Sequence, residues 1–318
     1  MPLARALDQR MRDGLAASLQ YLAEAGGAAL LPDPAPFAAV IGAIKSGLVS
    51  PLAFCLYSEI VQAVEAGRLS AARESLQELM ALPKPGARTE IIDLADPGAD
   101  LKSRLYQRYV DTDPANRFPL FRPSSEKSAA SRRLIEDAFV LMRDTDPDLH
   151  AEIQALLREI VLAAGPEDGS GLTFDGASSF MMWGAIVINA DRSDSVLEMV
   201  QMLAHESAHN VLFGLFSEDP ALFNGYSERQ ASPLRRDPRP LEGIYHAAFV
   251  TARMYRAVHH VARSAGASSP LREEAGQALE ELRGLFRQGY ETVIAHGRFS
   301  PLGREVIEEA SRYLEAHR

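Results

Sequence analysis

The chain has one cysteine, Cys55. That excludes an intrachain disulfide and any Cys-rich zinc or iron–sulfur centre, and it makes a reducing cytoplasm the expected location. Excess positive charge is also missing: 33 Lys plus Arg stand against 43 Asp plus Glu, a net charge of −10. Nucleic-acid binders carry a basic footprint, so that class of partner is not expected. Only 4 of the 33 basic residues are lysine, a compositional bias without mechanistic content. No apolar run approaches the roughly 18 residues that span a bilayer, so no membrane partner is expected. The N-terminal residues are followed by charge where a signal peptide is apolar. Internal repeats and low-complexity tracts are absent. What is present is a globular composition, 47% hydrophobic and 24% charged over 318 residues, enough chain for one large domain or two closely packed ones.

Most of the chain reads as helix. Residues 4–25 and 58–82 carry apolar side chains at helical spacing. Pro32, Pro34 and Pro36 interrupt the chain after the first, and Pro83-Lys84-Pro85-Gly86 ends the second. A polar, Pro-rich loop covers 111–125, and helices are expected at 126–143 and 148–164. Gly165 to Gly171 is the candidate boundary. After it, 172–175 and 184–189 read as short strands, the second rich in β-branched residues. Helix returns at 196–216, 241–263, 271–295 and 302–316. The expectation is a mainly α protein: a helical N-terminal scaffold over 1–165, then a zincin-like α+β metal-binding region with a small sheet over 166–318. The N-terminal half shows no chemistry of its own.

The sharp signal is His205-Glu206-Ser207-Ala208-His209, an H-E-x-x-H. Histidines four apart lie one turn apart on one face of a helix, where both imidazoles can grip one metal ion. The glutamate between them is placed to handle a proton on a metal-bound ligand. The context is helical: Val196, Leu197, Val200, Leu203, Ala204, Val211, Leu212 and Leu215 form an apolar surface, and Ser195-x-x-Glu198 is a capping box. The strand at Ile186–Ile188 just before it suggests an edge strand lining a cleft. A pair of ordinary helix histidines is the plainer alternative.

A catalytic metal usually takes a third protein ligand and keeps open positions. Glu242-Gly243-Ile244-Tyr245-His246 opens the next helix, with Glu242 and His246 on one face. A Glu ligand would complete the gluzincin peptidase set, with Tyr245 or a neighbour as oxyanion donor. A His ligand would give a triad of imidazoles suited to zinc, iron or copper. Spacing does not choose between them. His259 and His260 fall near the end of that helix, where cations meet its dipole favourably. His150, His296 and His317 read as solvated. Between the two helices, 232–240 is a Pro-stiffened loop holding Arg235, Arg236 and Arg239. It is suited to gripping a carboxylate in a bidentate fork; the plainer alternatives are a solvated charged turn or an ion pair with Asp237 and Glu242.

The run from His205 to Val250 contains HExxH, Ser-Pro-Leu-Arg, Asp-Pro-Arg-Pro-Leu and Gly-Ile-Tyr-His-Ala-Ala-Phe-Val. It resembles the HExxH-motif peptide-modification proteins, the 2-oxoglutarate-dependent HExxH-type peptide β-hydroxylases of ribosomal peptide natural-product pathways. The resemblance extends from Ala185 to Val250. It implies an Fe(II) centre with His205, His209 and His246 at the ligand positions, which favours His246 over Glu242. It also implies 2-oxoglutarate and O₂ as co-substrates, with Arg235 and Arg239 candidates for the distal carboxylate of 2-oxoglutarate. The implied substrate is a precursor peptide, hydroxylated at a Cβ as 2-oxoglutarate is converted to succinate and CO₂. Glu206 would then hold a ligand or water by hydrogen bonding rather than act as base. Trp183 and Asn189 are candidates for lining the peptide groove, although a Trp is more often a core residue. The rival expectation is a zinc metallopeptidase with Glu206 as general base. A non-catalytic helical binding protein is the third.

Overall fold

The computed structural model describes residues 2–86, 88–110, 119–166, 174–192, 194–232 and 238–317. Among these the chain forms eleven α-helices, a four-stranded mixed sheet and a two-stranded ribbon. The chain divides into two compact units, 1–132 with 154–192, and 133–153 with 193–318. Most of the Gly165–Gly171 stretch lies outside the described residues. No helix among the described residues is long and apolar enough to cross a membrane.

The first unit opens with α1 (Pro2–Leu30), α2 (Pro34–Lys45), α3 (Leu52–Glu65) and α4 (Leu69–Met80). One continuous helix over 58–82 does not form. Gly67 takes φ 70°, a left-handed conformation that side chains resist. The Arg68 N–H then bonds back to the Ala63 carbonyl at 2.8 Å and closes α3. Next come β1 (Glu90–Asp93), α5 (Leu101–Tyr109), α6 (Ser125–Thr145) and α7 (Pro147–Leu156). The division between the units runs through α6 and α7.

The helix expected over 148–164 is instead α7 followed by β2 (Glu159–Ala163). All five residues of β2 are buried. A short apolar run buried on both faces carries no alternation, so periodicity cannot tell it from a buried helix. β3 (Gly176–Ala177) and β4 (Ala185–Asn189) complete the sheet, in the order β1-β2-β4-β3. β2 runs parallel to β1 and β4, with Ile160 opposite Ile186 and Leu162 opposite Ile188. β4 also pairs with β3 and is therefore not the edge strand expected from the sequence. Burying one such Ile, Val or Leu side chain is worth about 1.5–3 kcal/mol.

Glu159 opens β2 buried but fully engaged. It accepts hydrogen bonds from the Tyr106 hydroxyl at 2.8 Å, the Lys102 ammonium at 3.0 Å and the Ser50 hydroxyl at 3.2 Å. Such a carboxylate is tolerable inside because its lone pairs are met. The single thiol, Cys55, is wholly buried on α3 and donates to the Met181 carbonyl at 3.2 Å. Burial pushes its pKa up.

The second unit is helical. It contains α8 (Val196–Leu215), the ribbon β5 (Arg229–Gln230) and β6 (Arg239–Pro240), α9 (Leu241–Arg263), α10 (Ser269–His296) and α11 (Pro301–Ala316). These helices lie where the sequence pattern places them. α9 is central and packs against α8, α10 and α11. Its buried face runs from Leu241 through Ile244, Tyr245, Ala248 and Tyr255 to Val261.

Candidate metal centre

α8 begins where its sequence dictates. The Ser195 side chain accepts from the Glu198 N–H while Glu198 reaches back to the Ser195 N–H, so two orphan donors of the first turn are met reciprocally. Leu197, Val200, Leu203 and Ala204 are buried, which fixes the rotation of the helix. That rotation puts His205, His209 and Phe213 on one stripe, each a turn from the next. The His205 and His209 rings meet edge to face at 5.1 Å, and Phe213 stacks beyond His209 at 6.2 Å.

α9 runs antiparallel to α8 and lays His246 against this stripe. The Nδ1 atoms of His209 and His246 are 3.2 Å apart, and their rings stack at 5.4 Å. Two turns further along α9, the Met254 sulfur stands 3.3 Å from His205 Nδ1. Glu206 is buried on α8, its Oε1 3.9 Å from His205 Nε2. Burial, and then the neighbouring His205 and His246 rings, hold the His209 imidazole well below the ordinary histidine range. Burial pushes His246 down to about 4. Both rings are therefore neutral at neutral pH, the form in which imidazole ligates a metal.

The fit to a metal is good in chemistry and partial in geometry. Two nitrogens bound to one ion at about 2.1 Å in tetrahedral arrangement stand about 3.4 Å apart, near the separation of His209 from His246. His205 turns its Nδ1 to Met254. Accordingly, among the described residues no group of three His, Cys, Asp or Glu side chains is arranged so that it could hold a metal ion. The three imidazoles share one interhelical seam, but they do not form a closed set of three nitrogens.

Of the pair left open by spacing, His246 meets His209, while Glu242 is exposed on the first turn of α9. Tyr245 is not placed as an oxyanion donor: it is buried and gives its hydroxyl proton to the Gly303 carbonyl at 2.9 Å. Arg235 lies outside the described residues. Arg239 is half-buried in β6, its backbone paired with Gln230, two residues before α9.

Of the two groove candidates, Trp183 takes the core place that its residue type favours, and the groove-lining role for Asn189 is corrected. Trp183 is a core residue of the first unit, its indole N–H donating to Asp8 at 3.2 Å. Asn189 is buried, and its side chain donates to the Phe174 carbonyl and accepts from the Asp191 N–H, which shapes the end of β4. His296 is exposed as expected. His317, expected in solvent, stacks on Tyr313 at 4.1 Å. Sequence reasoning also passed over Phe213 and Met254. Phe213 follows His209 by four residues and Met254 follows His246 by eight, so helical spacing alone puts each on its histidine's stripe.

Compared with known proteins, the chain matches no protein-family model and no curated protein sequence.

Proposed function

We propose that the protein is an Fe(II)- and 2-oxoglutarate-dependent oxygenase, working in the cytoplasm, that hydroxylates a Cβ position of a ribosomally made peptide. The observation that carries this reading is the approach of His246 on α9 to His209 of the HExxH helix, Nδ1 to Nδ1 at 3.2 Å. It supports the ligand set implied by the family resemblance. His205, His209 and His246 would hold the iron. When bound, iron with 2-oxoglutarate and O₂ supplies the oxidising power for hydroxylation at an unactivated carbon.

The chain's own side chains do the rest. Neutral imidazoles leave the ion its full positive charge, which favours an anionic co-substrate. Arg235 and Arg239 offer bidentate donors for the distal carboxylate of that co-substrate. Phe213, packed against His209 and His246, keeps water from one side of the pair. Glu206 lies beside His205 and would hold a ligand or water by hydrogen bonding.

The buried carboxylate of Glu206 next to His205 also favours a second reading, a zinc peptidase in which it is the base. Purified protein with Fe(II), ascorbate, 2-oxoglutarate and candidate peptides separates the two. Succinate release with gain of one oxygen atom by the peptide supports the oxygenase. Chelator-sensitive peptide cleavage restored by zinc replaces it with the peptidase. Glu206→Gln is expected to leave an oxygenase partly active and to abolish a peptidase.

A further inference from the structure

The loop between α8 and α9 presents a second surface, distinct from the histidine seam. In the second unit, the large apolar side chains left exposed among the described residues are Val140, Phe223, Tyr226 and Leu302. Two of these four lie on the loop, and a third opens α11, whose preceding residues are tied to the loop. Phe223 is 59% exposed and Tyr226 67%, both on the loop, while Leu302 is 39% exposed at the start of α11.

Backbone bonds tie the loop to the residues before α11: the Phe223 N–H to the Arg298 carbonyl at 2.7 Å, and the Ser300 N–H to the Ala221 carbonyl at 3.0 Å. Gly303 allows the approach, since a Cβ there would stand 2.1 Å from the Ala221 carbonyl oxygen. A clamp fixes the turn itself. Glu228 accepts two bonds from the Arg298 guanidinium, at 2.7 and 3.1 Å, and others from the Gly225 N–H and the Asn224 side chain. The two aromatic rings are thus held out to solvent on a rigid frame, so little freedom is lost when a partner covers them.

The charge beside them is one-sided. Arg298 is neutralised by Glu228. Arg229 lies over the Tyr226 ring at 5.7 Å and donates to the Pro238 carbonyl at 3.2 Å. No carboxylate comes within ion-pair distance of Arg229 or Arg239 among the described residues. The described residues of 221–240 hold Arg229 and Arg239 against Glu228 alone, in a chain of net charge −10. Exposed aromatics flanked by arginine make the side-chain chemistry that dominates binding energy at protein interfaces.

We propose that the face formed by Phe223, Tyr226 and Arg229 docks an acidic, apolar-studded stretch of polypeptide. The aromatic rings take its apolar side chains, and Arg229 takes a carboxylate. As a docking face it needs no metal. As the grip on the chain to be hydroxylated it rests on the oxygenase reading.

The test is fluorescence anisotropy with the whole protein, free of metal and 2-oxoglutarate, so that docking and metal chemistry fail separately. The probes are a short labelled peptide of repeating Asp-Phe-Glu-Leu and its Lys-Phe-Lys-Leu counterpart. Tighter binding of the acidic peptide is expected, weakened at least ~10-fold in Phe223→Ala/Tyr226→Ala. Arg229→Glu, a single exposed substitution, is expected to weaken it similarly and to flatten its salt dependence. Circular dichroism verifies that each variant is folded. Equal binding of the two peptides, or unchanged binding by the folded variants, overturns the proposal. So does a wild-type dimer in sedimentation that Phe223→Ala/Tyr226→Ala dissociates, because the face would then be covered by a second copy.

Discussion

Two groups of histidines occupy opposite ends of α9, and they differ in what their nitrogens face. At the C-terminal end, the ring nitrogens of His260 and His317 meet backbone carbonyls, those of Thr145 at 3.1 Å and Tyr313 at 2.8 Å. His259 is buried between Tyr255 and His317, and Tyr255 donates its hydroxyl to the His317 carbonyl. Beside them Arg256 grips Asp146 with two bonds, at 2.7 and 2.8 Å. Burial raises the Asp146 carboxyl, but the bonds from Arg256 and the Leu149 N–H outweigh it and leave its pKa lowered. At the N-terminal end, nitrogens of His209 and His246 face each other, and the Nδ1 of His205 faces the Met254 sulfur. A histidine tied to a carbonyl is structural. Two imidazole nitrogens turned toward each other, where at most one can donate, are what a shared cation would resolve.

The largest effect should come from breaking the N-terminal pair. His209→Ala is expected to lower Fe(II) or Co(II) affinity more than ~100-fold, beyond what losing an outer-sphere partner costs. His317→Ala should leave metal affinity unchanged. Isothermal titration calorimetry checks both, and equal losses would erase the distinction between the two groups.

Asp146→Asn should do the opposite: metal binding is kept, while stability falls by about 2–3 kcal/mol, because Arg256 loses a charged hydrogen-bond partner. Urea unfolding measures it. Arg256 is itself a quarter exposed, which holds the figure below that of a fully buried pair.

Acid should act on both groups over one pH range, and zinc should tell them apart. His259 and His246 are both pushed down to about 4, by burial and, for His259, also by His317 and His260. Each binds its proton more readily unfolded, near pH 6.5, than folded. The stability they contribute is therefore complete above about pH 6.5 and is lost as pH falls toward 4. Saturating zinc should suppress the His246 share of this loss, and His259→Phe the other. Melting temperatures against pH test both shares.

The smallest effect is expected at Met254→Leu, a few-fold change in metal affinity with stability nearly unchanged, since a thioether is a weak partner for an imidazole. A loss as large as that of His209→Ala would make Met254 a ligand.

The second unit was the more legible in sequence. Ser195 and Glu198 announce the start of α8, and the prolines before Leu241 that of α9, because caps and prolines act locally. His205 and His209 share a face by spacing alone. That His246 rather than Glu242 lies against His209 depends on the packing of α9 on α8, which local pattern does not contain. In the first unit, Glu159–Ala163 hid as helix because its burial on both faces is a tertiary fact. Tyr245 and Asn189 misled for the same reason: their polar atoms are consumed by Gly303 and Phe174, partners remote in sequence.

Cys55 gives the first unit a built-in reporter. The only thiol of the chain is sealed on α3 with its proton held by a backbone oxygen and its ionisation suppressed. An alkylating reagent added to the folded protein must wait for that helix to open, so the labelling rate counts openings of the first unit alone. Changes made at the histidines can thus be followed for any loosening they transmit, without introducing a probe.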